Sequence, residues 1–151
     1  FFTQKTPYAI LSGLVGSEMC IRDRYRLTKQ IRFIDHCKNM PLAYKISDIV
    51  VSASIEPEAF GRVSVEAQAM QKMIVASNLG GSNETVIDGK TGILFEAGNS
   101  DELSEKIIKV MNMDPNELNK MGSLGRENAV KKFNVEKMCF STYSEYKKLF
   151  N

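Results

Sequence analysis

The sequence predicts an α/β domain built on a doubly wound parallel sheet, and three features of the chain support this. Short apolar, β-rich runs alternate with segments of helical periodicity from residue 31 to residue 95. These runs are almost continuously apolar, which is typical of parallel strands covered on both faces. The last third of the chain has helical periodicity. A chain of 151 residues can form one domain with a substantial core, and we expect no second domain.

The predicted elements follow in order from residue 31. Strands are predicted at residues 31–34, 49–54, 73–77 and 93–95. Helices are predicted at residues 40–47, 62–71 and 83–87, and three more begin after residues 99, 114 and 134. Pro41 and Pro115 occupy first-turn positions, where an amide hydrogen has no intrahelical acceptor. Asn99 followed by Glu102 is typical of a helix N-cap with its capping partner.

Helix faces and turns complete the predicted layout. Val63, Ala67 and Met70 fall on one face of their helix, which predicts packing against the sheet. Apolar positions of the last helix, including Tyr143 and Tyr146, are predicted to be core or domain-contact residues. A flexible turn is expected at residues 78–81, and a tight one at residues 88–92 from its Asp-Gly-Lys-Thr-Gly composition.

Composition and charge are those of an ordinary globular protein, with 43% hydrophobic and 25% charged residues. The formal charge of +2 is too small to predict binding to nucleic acid or to an anionic membrane. Cys20, Cys37 and Cys139 are odd in number and form no CxxC pair, which argues against disulfides and structural zinc and favours a reducing cytoplasm. The longest early apolar run, Tyr8 to Gly16, is well short of the ~20 residues that span a bilayer.

Residues 1–24 have two interpretations. The run from Tyr8 to Gly16 is compatible with a strand. The segment VGSEMCIRDR also resembles a translated sequencing-adaptor artefact that recurs in unrelated environmental reading frames. We therefore set residues 1–24 apart and place the domain at residues 25–151. Because the chain begins with Phe1 and not with Met, we expect a fragment or a processed form.

The stretch from Ser52 to Ser77 carries the strongest functional signal. Its two carboxylates, Glu58 and Glu66, bracket a junction between a loop and a helix. A carboxylate accepts two parallel hydrogen bonds, which matches the vicinal diol of a ribose or a hexose. Backbone amides at a helix start suit a phosphate, and Gly61 lets the backbone approach closely. The junction can therefore hold a sugar, a ribose and a diphosphate together.

Other interpretations of these residues stay open on spacing alone. The more common case for such acids is a solvated loop for Glu58 and a solvated helix face for Glu66. A glycosidase acid pair is a further alternative, although no aromatic sugar platform accompanies it. An NAD-type binder is disfavoured because the chain lacks the G-x-G-x-x-G fingerprint. His36, the only histidine, is either a general base or, more commonly for a lone loop histidine, a polar cap.

The order of the motifs is more specific than any one of them. SASIEPEAFGRVSVEAQAM followed by VASNLGGSNETVIDGKTGILF strongly resembles the family-4 (group 1) retaining glycosyltransferases of the GT-B fold, with Glu58 and Glu66 in their E-x7-E motif. The likeness includes IRFIDHCKNMPLAYKISDIVV upstream and an M-G-x-x-G-R segment at Met121 to Arg126. It covers about residues 28–151, most of the family's Rossmann-like C-terminal domain.

The resemblance implies a role for each matching position. Glu66 is expected to hold the ribose hydroxyls of the nucleotide. Glu58 is expected to position the donor sugar, and it is the candidate catalytic residue in that sense. The remaining donor-binding residues fall into a loop at the diphosphate, a strand-end loop near the nucleotide base and a second cleft loop. These are, in turn, Phe60, Gly61, Arg62 and Val63; Phe33, Ile34, Asp35 and His36; and Gly80, Gly81 and Glu84.

The resemblance also implies an activity and a setting. Family enzymes transfer a sugar from a nucleotide donor, here a UDP- or GDP-sugar, with retention and without cofactor or metal. We expect a cytoplasmic enzyme of cell-envelope polysaccharide or lipopolysaccharide synthesis, with peripheral association of the full-length protein at the inner membrane face left open. It would bind no nucleic acid and would take a sugar or lipid-linked acceptor through an N-terminal domain that this sequence lacks. The alternative is a non-catalytic nucleotide-sugar-binding or regulatory domain.

Two departures from the family pattern matter. The family often has Gly and Pro where this chain has Gln71 and Met73, and the loss of Gly removes an easy left-handed helix end. The Arg/Lys pair that normally clamps the diphosphate is also missing. We therefore expect this chain alone to bind a donor weakly and to transfer nothing.

Overall fold

The computed structural model describes residues 19–34 and 37–150, and the chain divides into two compact units, residues 1–39 and 40–151. In the first unit, residues 19–24 are helical. The guanidinium carbon of Arg22 lies 5.4 Å from the centroid of the Phe33 ring, within the range of a cation–π contact. The strand interpretation of residues 8–16 lies outside the described residues.

The prediction of a buried strand at residues 31–34 is wrong. These residues have no strand structure, and the side chains of Phe33 and Ile34 are 51% and 84% exposed. A strand needs a neighbouring strand to take up its backbone hydrogen bonds. An apolar, β-rich composition is therefore not enough to make residues 31–34 a strand, because no described strand pairs with them.

The second unit contains a three-stranded parallel sheet, which confirms the predicted fold class. Its strands are β1 (Ile49–Ser52), β2 (Met73–Ser77) and β3 (Ile93–Phe95), in the order β1-β2-β3. Ile49 lies opposite Met73, and Val75 lies opposite Ile93. All five residues of the central strand β2 are buried, as expected for a strand covered on both faces.

Six helices accompany the sheet in the described part of this unit. They are α1 (Met40–Ile46), α2 (Arg62–Ala69), α3 (Gly81–Thr85), α4 (Ser100–Met111), α5 (Pro115–Lys132) and α6 (Val135–Leu149). The predicted N-cap at Asn99 is confirmed, because its side chain accepts a hydrogen bond from the Glu102 amide. Glu102, however, accepts from the amide of Glu96 and not from that of its cap residue. None of the described helices is long and apolar enough to cross a membrane.

Alternate residues of β2 face two separate apolar cores. Met73 and Val75 pack with Phe95, Val110 and Met121, a cluster supplied by β3, α4 and α5. Ile74 and Ala76 pack on the other face, in a cluster that includes Tyr44 of α1, Ala67 of α2 and Val86. This alternation follows from the two-residue period of a strand. The core therefore fixes α1 and α2 on the same face of the sheet.

Helix α5 packs closely against the end of α2. A Cβ on Gly122 would lie 2.5 Å from the carbonyl oxygen of Gln71, so only a glycine fits this approach. Nη1 of Arg126 donates to the carbonyl oxygen of Ala69 in the last turn of α2. The M-G-x-x-G-R segment thus has a packing role, and its arginine satisfies a helix-end carbonyl.

Helix α6 contains no buried residue. The side chains of Tyr143 and Tyr146 are 66% and 60% exposed, so the prediction that they are core residues is wrong within the described chain. Its large apolar residues, among them Phe140 at 71% and Leu149 at 78%, are exposed. The alternative prediction, contact with another domain, stays a prediction.

Candidate functional site

The candidate site lies at the carboxyl edge of the parallel sheet. The loop at residues 53–61 follows β1 and leads into α2, and residues 78–80 connect β2 to α3. The carboxyl ends of parallel strands meet at one edge of a sheet, where α/β proteins usually bind their ligands. The fold thus brings together the two loops that carry Glu58 and Gly80, and with them the starts of α2 and α3, which carry Glu66 and Gly81.

The two loops are in direct backbone contact. The amide of Gly81 donates to the carbonyl oxygen of Glu58 at 2.7 Å. A Cβ on Gly81 would collide with the backbone of Phe60, and one on Gly80 would lie 2.6 Å from the Glu58 carbonyl oxygen. Side chains are therefore excluded from this turn because the neighbouring loop occupies their space. The pair of glycines explains why the loop after β1 is held against the loop after β2.

Glu58 is held by a neighbour in its own loop. The hydroxyl of Ser54 donates to Oε1 of Glu58 at 2.5 Å, and the Glu58 residue is only partly exposed. Oε2 and the remaining lone pair of Oε1 are available for a ligand. This differs from the solvated loop acid that spacing alone favours, because the carboxylate is oriented by a short hydrogen bond.

Glu66 is held from two sides. The Tyr44 hydroxyl donates to its Oε2 at 2.9 Å, and Nη2 of Arg62 donates to its Oε1 at 3.0 Å. Tyr44 is only 5% exposed, whereas the side chain of Arg62 is 83% exposed. An exposed ion pair one helical turn apart is worth only about 0.3–0.5 kcal/mol. The tyrosine is therefore the firmer of the two contacts.

The environment of Tyr44 keeps its phenol protonated. Burial, followed by the hydrogen bond to Glu66 and the negative charge of that carboxylate, raises the pKa of Tyr44 from 10.0 to about 12, and the positive charge of Arg62 partly opposes this. A protonated phenol donates its hydrogen to the carboxylate throughout the physiological pH range. The phenol therefore does not lose this hydrogen bond by ionising within that range.

The start of α2 is open to an anionic ligand. Its N-cap is Gly61, at φ 71°, and no side chain caps the helix there. The first amides of a helix, here those of Arg62 and Val63, have no intrahelical acceptor, and the helix dipole adds positive potential at this end. These amides lie between Glu58 and Glu66 along the chain and can donate hydrogen bonds to a phosphate oxygen.

A buried polar network fixes the base of α2. Nε2 of Gln68 donates to the carbonyl oxygens of Ser64 and Thr85, at 3.1 and 3.0 Å. Nδ2 of Asn128 donates to Oε1 of Gln68 at 3.1 Å and to the same Thr85 carbonyl at 3.0 Å. Ser64 and Ser82 are also 3.4 Å apart through their hydroxyls. The network ties α2, α3 and α5 together beneath the two loops.

The other predicted residues occupy different positions. Phe60 is 46% exposed and meets Phe133 edge-to-face, with ring centroids 5.6 Å apart, beside a groove of 390 Å³ lined mainly by the start of α6. Glu84 is exposed on α3. Phe33 and Ile34 belong to the first unit, and Asp35 and His36 lie outside the described residues, so their role near a nucleotide base stays a prediction.

The structure adds residues that the sequence did not reveal. Tyr44 and Ser54 hold the two carboxylates, and Gln68 and Asn128 form the network below them. Tyr44 is 22 residues from Glu66, and Asn128 is 60 residues from Gln68. No periodicity or motif links positions so far apart. The Ser54–Glu58 spacing of four residues is the single local signal among them.

Within residues 19–34 and 37–150, no group of three or more His, Cys, Asp or Glu side chains is placed to hold a metal ion. The expectation that no cofactor or metal is needed stays a prediction.

The chain matches a family of known proteins over most of its length. The model described as "Glycosyl transferases group 1" matches residues 16–128. An uncharacterised glycosyltransferase of Methanocaldococcus jannaschii is 40% identical over 106 residues, which are 70% of this chain and 29% of that protein. The capsular polysaccharide biosynthesis glycosyltransferase CapM of Staphylococcus aureus is 37% identical over 79 residues, 52% of this chain and 20% of CapM.

The fold is also similar to that of part of a protein of solved structure. Anabaena HepE, in complex with UDP and glucose, superposes with a TM-score of 0.85 at 27% identity, over 91% of this chain and 37% of HepE. The chain thus spans less than a third of the length of the two curated relatives described above.

Proposed function

Because the chain belongs to the glycosyl transferases group 1 family, we propose that it is the donor-binding domain of a retaining, family-4 glycosyltransferase. The full protein transfers a sugar from a UDP- or GDP-sugar to a sugar or lipid-linked acceptor that its N-terminal domain holds. The name of the relative CapM supports a role in cell-envelope polysaccharide or lipopolysaccharide synthesis. The structure of HepE with UDP and glucose supports a nucleotide-sugar donor. The enzyme acts in the cytoplasm.

The geometry of Glu66 carries this proposal. Its side chain is 36% exposed, and each carboxylate oxygen has one protein donor, which leaves a lone pair on each oxygen. Two adjacent hydroxyls of a ribose can donate to these two lone pairs. A solvated helix acid, the more common case for such a residue, does not account for a buried tyrosine that orients the carboxylate. We therefore assign Glu66 to the ribose.

Glu58 and the start of α2 take the rest of the donor. Ser54 orients the Glu58 carboxylate, which accepts hydrogen bonds from hydroxyls of the donor sugar. The amides of Arg62 and Val63 meet the diphosphate. When the sugar is transferred, negative charge grows on the departing diphosphate, and helix-start amides stabilise such charge in the transition state. Glu58 is a positioning group in this scheme, and no covalent bond to it is assigned.

Calorimetric titration of the chain with UDP, GDP and ADP tests the proposal. We expect one nucleotide to bind, and Glu66→Ala to weaken that binding by about tenfold or more, since hydrogen bonds to a charged group contribute about 1.5–3 kcal/mol. Glu105→Ala, an exposed acid on α4, is the matched control and should bind as the wild type does. Equal affinity of the wild type and Glu66→Ala for every nucleotide would rule out the ribose role.

A further inference from the structure

We propose that Tyr44 is a positioning residue that orients the Glu66 carboxylate toward the ribose diol and so makes the site prefer ribonucleotides over 2′-deoxyribonucleotides. The inference rests on the proposed ribose role of Glu66. It assigns to a residue of α1, outside the E-x7-E motif, a part in donor selection.

Tyr44 is held in place more firmly than the carboxylate it contacts. It is 5% exposed and packs in the cluster that contains Ala67 and Ile74. The hydroxyl and the amide of Ser47 both donate to the Tyr44 carbonyl oxygen, at 2.8 and 3.2 Å. Nζ of Lys72 donates to the Lys45 carbonyl at 2.8 Å, which joins α1 to the segment that enters β2. The phenol therefore presents its hydroxyl from a fixed position.

Glu66 needs such a partner. Its side chain is 36% exposed, and a free glutamate side chain populates several rotamers. Arg62, its other partner, is 83% exposed and cannot fix the carboxylate by itself. The Tyr44 bond occupies one lone pair of Oε2 and fixes the plane of the carboxylate. The two free lone pairs of the carboxylate then point in one fixed direction. A ribose can fill both with its two adjacent hydroxyls, whereas a 2′-deoxyribose can fill only one.

The test compares UDP with 2′-deoxy-UDP on the 151-residue chain by calorimetry. The wild type should bind UDP about tenfold or more tightly than 2′-deoxy-UDP, because one hydrogen bond to a charged acceptor is lost. In Tyr44→Phe, which removes only the hydroxyl, this preference should fall at least about threefold, mainly through weaker UDP binding. Tyr143→Phe, at a 66% exposed tyrosine on α6, should keep the wild-type preference.

A Glu66→Ala background separates the two proposals. If Tyr44 acts through Glu66, Tyr44→Phe changes nothing further once Glu66 is alanine. If Glu66→Ala abolishes the preference while Tyr44→Phe retains it in full, the role of Tyr44 is refuted and the proposed function stands. If the wild type itself has no preference, or Glu66→Ala keeps it, the ribose role of Glu66 fails and the inference fails with it.

A second measurement keeps the hydroxyl in place, in case Tyr44→Phe does not fold. The chain is labelled with 3-fluorotyrosine in a Tyr8→Phe background, which leaves four of its five tyrosines. Of these, Tyr25, Tyr143 and Tyr146 are at least 60% exposed, so the fluorine resonance that is shielded from solvent belongs to Tyr44. It should shift on addition of UDP and shift less with 2′-deoxy-UDP. An unchanged resonance at saturating UDP would overturn the inference.

Discussion

Gln71 has a backbone conformation that its side chain does not favour. Its φ is 57°, in the left-handed region, directly after α2 and its C-cap. Only glycine adopts this region without a steric penalty, and related proteins often have glycine here, by the resemblance given above. The carbonyl oxygen of Gln71 also faces Gly122 of α5 in the close contact described above. The chain therefore carries a local strain at the end of the helix that holds Glu66.

Gln71→Gly should relieve this strain. We expect the free energy of unfolding to rise by up to about 1 kcal/mol, since the left-handed penalty is lost while glycine adds some entropy to the unfolded chain. Urea denaturation followed by circular dichroism measures the change. Gln71→Ala keeps a Cβ and should leave the stability nearly unchanged. A glycine variant less stable than the wild type would show that Gln71 makes a compensating contact.

At the scale of elements, α2 depends on its buried polar network. Gln68 and Asn128 are 0% and 8% exposed, and their amide groups meet the Thr85 carbonyl between helices α2, α3 and α5. Buried amides are stable only when their hydrogen bonds are made, so this network requires one arrangement of the three helices. It thereby holds the segment between Glu58 and Glu66 in a defined place.

Asn128→Ala should destabilise the protein by about 1–3 kcal/mol, because Oε1 of Gln68 loses its donor in a buried site. Asn119→Ala, at an exposed asparagine of the same helix, is the control and should change the stability little. Urea unfolding gives the change in the free energy of unfolding for each variant, provided that the m value is the same as in the wild type. Equal stabilities of the two variants would mean that the network contributes nothing to the packing of α2.

Most elements could be predicted from the sequence because their signals are local. The bounds of β2 and β3 and the start of α4 agree with the predicted ones, since apolar runs mark both strands and a cap residue marks the helix. The strand predicted at residues 31–34 was wrong, because strand formation depends on a partner that no local pattern specifies. The core role of the α6 tyrosines was wrong for a similar reason. Helical periodicity identifies an apolar face but not what covers it.

The candidate site could be predicted only in part. The motif placed Glu58 and Glu66 at a loop–helix junction, and the structure has that junction. It did not reveal Tyr44, whose contact with Glu66 spans 22 residues and depends on how α1 packs against the sheet. Contacts of this kind are products of the tertiary fold. Sequence spacing therefore locates the acids, and packing determines how they are oriented.

At the scale of the whole molecule, we propose that the second unit forms the donor site, at the sheet edge where α/β proteins usually bind their ligands. Group 1 membership covers residues 16–128, and the HepE structure is matched over 37% of its length. We propose that the acceptor and further contacts to the diphosphate come from the rest of a longer protein. The exposed apolar residues of α6 are compatible with a surface that another domain covers. Binding of the donor, unlike transfer of its sugar, can be measured on this 151-residue chain.

The central claim is that a nucleotide-sugar binds at the junction between Glu58 and Glu66, and amide NMR tests it most directly. The ¹⁵N-labelled chain is titrated in turn with UDP-, GDP- and ADP-glucose and with the nucleotides alone. We predict that one nucleotide shifts the amide resonances of Gly61, Arg62, Val63 and Gly81, and that its sugar adds shifts at the amides of Glu56 and Glu58. The amide resonances of α4 should not shift. If none of the three shifts these amides, or if the shifts lie elsewhere in the chain, the donor site is not where we place it.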